Sequence, residues 1–234
     1  KEKNINNKEF IIPECYPEIT NKYNNVIVME NIKGLTFNDI KNYDEKIKYE
    51  FGQLLVKFGV ISILYNSAVH CDIHLGNLFF YINEETDLKP KYQIGYLDFG
   101  IVAFPSRENQ NIYYTFFKDI QIDKDFSKLE MVVMGIICEK EILKNLTKNK
   151  KEKLYNKLKK LIIGTDDNYG IEFFLQLSYT INSYGLSFTK EFNHLCLSLQ
   201  VAESLSKNLS GDPRKIQDDF ILSLNKINKL LEIE

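Results

Sequence analysis

Two short polar stretches, set on either side of a strand pair, constrain this chain most. The first, Val69-His70-Cys71-Asp72-Ile73-His74-Leu75-Gly76-Asn77-Leu78, places a carboxylate and an amide five residues apart. The second, Leu97-Asp98-Phe99-Gly100, brings another carboxylate 21 positions after Asn77. Between them, Leu78-Phe79-Phe80-Tyr81-Ile82 and Tyr92-Gln93-Ile94-Gly95-Tyr96-Leu97 flank a polar loop, 83–91, which reads as a small hairpin or ribbon. Upstream, from Asp44 to about Ser67, Ile47, Phe51, Leu54, Leu55, Phe58 and Ile61 recur near helical spacing before an almost wholly apolar end. That pattern predicts a central, buried helix leading into the first polar stretch.

The rest of the chain divides around this centre. Residues 1–9 read as a flexible lead-in. Phe10-Ile11-Ile12 before Pro13, and Val26-Ile27-Val28-Met29 after the turn-forming Asn24-Asn25, read as two adjacent strands, the second ended by Gly34. A short helix fits from Thr36, an N-cap, to Lys41. After Pro105 the pattern is helical, over about 106–121, 124–138, 150–163, 170–184, 189–208 and 213–231, the last opened by Asp212-Pro213. The expected class is α+β, mainly α.

Composition removes several function classes. A chain of 234 residues buries a sizeable core. Thirty basic against 32 acidic residues leave a charge of -2, without the basic surplus of a dedicated nucleic-acid binder. Cys15, Cys71, Cys138 and Cys196 stand singly, so neither a zinc knuckle nor a disulfide framework is written, and a cytoplasmic or otherwise reducing compartment is expected. The longest apolar run, around Val56 to Leu64, is interrupted by Lys57 upstream and Asn66 downstream and is too short to span a bilayer, and the first residues hold no signal core.

Phosphotransfer of the kinase type needs a carboxylate near the acceptor hydroxyl, then an amide oxygen and a second carboxylate to hold Mg²⁺ against nucleotide phosphates. Asp72, Asn77 and Asp98 supply those groups at the required spacing. His70 and His74 stand four apart, as zinc ligands can, but a loop that also holds Asp72 and Asn77 accounts for them better, such a histidine in a kinase-like loop being generally structural and bracing the backbone near the Asp98-Phe99-Gly100 turn. His194, between Phe192 and Leu195, reads as a core or boundary histidine, and Met131 and Met134 as packing residues.

On these residues the chain resembles the UbiB/AarF-domain atypical kinases, a family linked to ubiquinone biosynthesis and lipid homeostasis. His70-Cys71-Asp72-Ile73-His74-Leu75-Gly76-Asn77 is similar to the family's H-x-D-x-H-P-G-N, and Asp98-Phe99-Gly100 to its D-F-G. Val26-Ile27-Val28-Met29-Glu30 with Gly34 resembles its last strand and hinge. Phe117 to Phe126 with Met134-Gly135-Ile136 resembles its helical pair, and Ala202-Glu203-Ser204-Leu205 to Asp212-Pro213 its terminal motif. The likeness covers roughly residues 9–220.

The resemblance implies a protein-kinase-like fold: a helical C-terminal lobe over 36–234, a short residual strand pair and hinge over 10–35, and a small catalytic β ribbon. It implies Asp72 as catalytic base or hydroxyl-orienting residue, Asn77 and Asp98 as Mg²⁺ ligands, and Glu30, Asn77, Asp98 and Gly100 as the ATP-binding set, within a catalytic loop at 70–77 and a metal-binding D-F-G at 98–100. Its implied cofactors are ATP and Mg²⁺, with a lipid or membrane-associated partner by family precedent. The sequence departs from the family at Leu75, where proline is usual. It shows no Gly- or Ala-rich phosphate loop, no strand Lys with a partner Glu and no K-x-G-Q; Gly52-Gln53 follows Glu50-Phe51 and lies elsewhere in the chain. Most of the N-terminal lobe is therefore expected to be missing and this chain alone to be inactive. Two rival readings share the motifs: a small-molecule phosphotransferase like the aminoglycoside or choline kinases, and a pseudokinase acting as a binding module.

Overall fold

Asp44 starts the central element. Its Oδ1 accepts the Ile47 N–H at 3.0 Å, which satisfies a helix-end donor that would otherwise lack a partner. In the computed structural model, which describes residues 9–23, 25–64, 66, 68–84, 90–164 and 171–210, helix α3 (Glu45–Leu64) follows this cap. Before it lie strand β1 (Phe10–Ile11) and the short helices α1 (Pro17–Thr20) and α2 (Phe37–Ile40). The Thr36 N–H and hydroxyl both donate to Asp39 Oδ2 at the start of α2, and those bonds hold the Asp39 carboxyl below its ordinary pKa.

Helix α3 is apolar nearly all round because it serves two cores. Phe51, Leu54, Leu55 and Phe58 face a core shared with the strands, whereas Val56, Val60, Ile61, Ile63 and Leu64 join a larger helical core. On the strand side, β3 (Leu78–Ile82) and β4 (Tyr92–Tyr96) form the expected antiparallel hairpin, Leu78 opposite Tyr96. Strand β1 adds in parallel to the other edge of β4, with Phe10 opposite Ile94. Tyr96 stacks on Phe58 at 3.8 Å between ring centroids, and Phe10 meets Phe58 edge-on at 5.2 Å.

A second pair, β2 (Val69–His70) with β5 (Val102–Ala103), has too few residues to stand out from the surrounding loops in the sequence. Beyond it come α4 (Arg107–Tyr114), a wider-wound π stretch (Thr115–Ile122), α5 (Leu129–Ile136), α6 (Lys140–Asn145), α7 (Lys148–Ile163), α8 (Ile171–Asn182) and α9 (Lys190–Ser210). Gly135 lets α5 close on α4, since a Cβ there would lie 2.4 Å from Ile112 Cδ1. The chain is thus mainly helical with small sheets. No helix among the described residues is long and apolar enough to cross a membrane.

The expected strand pair at the N-terminus is corrected. Val26–Met29 makes no strand: a single antiparallel bridge joins Met29 to Cys15, and Val26, Ile27 and Met29 are exposed. β-Branched residues favour a strand where one face is covered, and here Val28 alone of the four is even half-buried. Phe10–Ile11 does form a strand, but its partner is β4, 84 positions on in sequence, and not its neighbour. The short helix α6 was not expected. The expected helix at 213–231 and residues 1–8 of the lead-in lie outside the described residues.

Candidate functional site

Strand pairing brings the two polar loops together. Loop 71–77 joins β2 to β3, and loop 97–101 joins β4 to β5. Because β3 pairs with β4 and β2 with β5, each end of one loop is bonded to an end of the other. Leu97 N–H donates to Asn77 O at 2.8 Å, and Cys71 N–H to Ile101 O at 2.9 Å.

His70 locks this arrangement from within. Its ring is buried, and Nδ1 accepts the Asp72 N–H at 3.2 Å, so Nδ1 carries the lone pair and the proton of the neutral ring sits on Nε2. That Nε2 lies 3.1 Å from Leu97 O, one residue before Asp98, and donates to it. Burial pushes the His70 pKa below its ordinary value, against the pull of the Leu97 bond and of the nearby Asp72 and Asp98 carboxylates. From the other side of the molecule, the buried Ser198 hydroxyl of α9 donates to His70 O at 2.8 Å. The Phe99 ring lies against His70 at 4.6 Å and remains partly exposed, so it is no simple core residue.

The expected site residues fall around this brace. Asp72 is held by its backbone, its N–H on His70 and its carbonyl accepting Asn77 Nδ2 at 3.2 Å, while its carboxylate stays accessible. Asn77 is buried and ends a single 3-10 turn, Leu75–Asn77. Since its Nδ2 is spent on Asp72, Oδ1 is the atom it offers a cation. Asp98 has φ 51°, uncommon for a residue with a Cβ, and its Oδ1 accepts the Gly100 N–H at 3.1 Å. Gly100 permits that approach, because a Cβ there would stand 3.0 Å from Asp98 Oδ1.

Glu30 stands apart from these residues. It is exposed and tied to Glu14 by two hydrogen bonds, Glu30 N–H to Glu14 O at 2.7 Å and Glu14 N–H to Glu30 Oε2 at 3.3 Å. After it the chain runs beside β3, where Leu35 and Phe80 exchange backbone bonds of 2.8 Å. Gly34 is required there, since a Cβ would come within 3.0 Å of Phe79 Cβ and Phe80 O. Ser198 was not recognised from sequence, for its partner is the His70 carbonyl, which no motif marks.

A hard cation bound mainly by water and phosphate oxygens needs only one or two protein oxygens. Asp98 and Asn77 Oδ1 fit that role. Among the described residues no group of three or more His, Cys, Asp or Glu side chains is gathered as in an all-protein metal cage.

The model of the ABC1 atypical kinase-like domain matches residues 1–133. The ABC1 family protein MCP2 of Saccharomyces cerevisiae is 26% identical over 129 residues, which cover 51% of this chain and 22% of that protein. An uncharacterized aarF domain-containing protein kinase of Arabidopsis thaliana, named chloroplastic, is 22% identical over 219 residues, 84% of this chain and 39% of that protein. The chain therefore spans well under half the length of either relative. More than half of its residues, Asp72, Asn77 and the Asp98-Phe99-Gly100 turn included, fall within the matched domain, and the chain belongs to the UbiB/AarF (ABC1) family of atypical kinases.

Proposed function

We propose that the protein binds Mg·ATP and transfers its terminal phosphoryl group to a hydroxyl or to water. On this reading the described residues from 36 onward are the helical C-terminal lobe of a protein-kinase-like fold, with β3 and β4 as its catalytic ribbon, and residues 10–35 are the end of the N-terminal lobe and the hinge. One observation carries the reading: the His70 ring joins the Asp72 backbone to Leu97, so two carboxylates and an amide lie on adjoining, mutually bonded loops.

Each residue then has a defined task. The Asp72 carboxylate, accessible but fixed at its Cα, orients the attacking hydroxyl and accepts its proton. Asn77 Oδ1 and the Asp98 carboxylate hold Mg²⁺, which when bound offsets negative charge on the phosphate oxygens. Gly100 keeps the Asp98 carboxylate turned by donating its N–H. Glu30 marks the hinge segment that meets the adenine through backbone groups. The family's link to ubiquinone and lipid metabolism makes a lipid-associated acceptor the first to assay.

The test separates binding from turnover in the full-length protein. Asp98→Asn is expected to weaken Mg-nucleotide binding while the melting temperature stays near wild type. Asp72→Asn is expected to lower ATP turnover by about 10²–10⁴-fold with little change in nucleotide affinity. Unchanged nucleotide affinity in the first variant removes the metal assignment. Preserved turnover with lost stability in the second reduces Asp72 to a loop tie.

A further inference from the structure

The two histidines of the loop share one local device. Each accepts, on Nδ1, the backbone N–H two residues ahead: Asp72 N–H on His70 at 3.2 Å and Gly76 N–H on His74 at 3.1 Å. In a neutral ring whose Nδ1 accepts, the proton is on Nε2, so both rings present a donor on the far side. His70 spends its donor on Leu97 O. The His74 donor points elsewhere, with Nε2 4.0 Å from Asp72 Oδ2.

We propose that His74 is a positioning residue for Asp72, its Nε2–H directing the carboxylate that receives the acceptor proton. This rests on the role given to Asp72 above. Both Asp72 bonds to the loop are made by its backbone, and among the described residues His74 is the side chain within ion-pair range of its carboxylate. Neither side chain is locked by packing, for 54% of His74 and 45% of Asp72 are exposed. The aim of the His74 ring therefore comes from the Gly76 cap. Gly76 is suited to it, since a Cβ there would lie 3.0 Å from His74 Cε1 and 3.1 Å from Nδ1. A separation of 4.0 Å is too long for a hydrogen bond. Catalytic bonds often stand open without substrate and tighten on binding, and rotation of the exposed Asp72 carboxylate would shorten this one while His74 keeps its Gly76 cap.

The rival role is that His74 merely caps the 3-10 turn. Two near-isosteres of histidine separate the roles. In His74→Asn the side-chain oxygen replaces Nδ1, so the Gly76 cap survives and the donor toward Asp72 is lost. In His74→Gln the amide nitrogen replaces Nε2, so the donor survives and the cap is lost. In the full-length protein, His74→Asn is expected to lower kcat for ATP turnover about tenfold with KM for ATP and melting temperature near wild type, and His74→Gln to recover most of that loss. Wild-type kcat in His74→Asn overturns the proposal, as does an equal loss in both variants with lowered melting temperatures. If the wild type turns over no ATP, the phosphotransfer reading fails by itself, and ¹⁵N NMR of the His74 ring decides the pairing. An Nε2–H tautomer whose signal moves in Asp72→Asn sustains the pairing. An Nδ1–H tautomer, or no response to Asp72→Asn, ends it.

Discussion

Besides the direct backbone bonds at their ends, one imidazole ties the two loops of this site together, and its charge state bears on their stability. The His70 pKa is lowered in the fold, so below the ordinary histidine value of 6.5 the unfolded chain binds the proton more readily. The stability due to the neutral ring is thus complete above about that pH and declines as the pH falls toward the lowered folded value. The lowered carboxyls of Asp39, Asp125 and Glu139 act in a separate, more acid window, below their ordinary values of 3.8, 3.8 and 4.5. Urea midpoints measured between pH 7.5 and 5 should fall in the wild type and fall less in His70→Gln, which keeps a donor for Leu97 O but does not titrate. Equal slopes reject the assignment. His70→Ala leaves the Asp72 N–H and the Leu97 carbonyl without their partner and is expected to cost about 2–4 kcal/mol. At this scale the sequence was readable where neighbours are local: Asp72, Asn77 and Asp98 lie within two short motifs, and a histidine of the first of them was expected to brace the backbone near the second, as His70 does. The tautomer of His70 and the Ser198 hydroxyl were not readable, because each depends on a partner brought in by folding.

Among the elements, long ones with a covered face were legible, whereas very short ones and those without a covered face were not. α3 and the β3–β4 hairpin announce themselves because Phe51, Phe58, Phe80 and Tyr96 must all be buried, which imposes helical spacing on one segment and strand character on the other. Val26–Met29 carries the same β-branched signal with three of its four side chains exposed, and so the signal misleads. The β2–β5 pair is two residues long on each side, and its identity comes from the loops that it closes. Crossings between helices leave a subtler trace in glycine. Gly135→Ala would put its methyl 2.4 Å from Ile112 Cδ1, so α4 and α5 must separate or Ile112 must leave its rotamer. The expected loss is about 1–3 kcal/mol, read as a lowered melting temperature. Trimming the partner by Ile112→Ala in the same background should recover part of it. A stable Gly135→Ala protein would mean that the two helices do not pack this tightly.

Over the whole molecule, α3 belongs to the strand-side core and to the helical core at once, and α9 follows it through both, with Leu195 and Cys196 in the helical core and Leu205 and Leu209 in the other. Neither core can lose these helices and persist, so the two are expected to unfold together. Calorimetric and van't Hoff enthalpies should agree for this chain, whereas two resolved transitions would show the cores to be independent. The same two helices place Ser198 beneath His70, although 128 positions separate them in the chain. Ribosomes add about 5–20 residues per second, so roughly 6–26 seconds pass between synthesis of the loop and synthesis of the hydroxyl that supports it. A nascent chain carries every acidic residue of the site long before it carries the support for their backbone, and any molecule cut short ahead of α9 keeps the motif without the geometry.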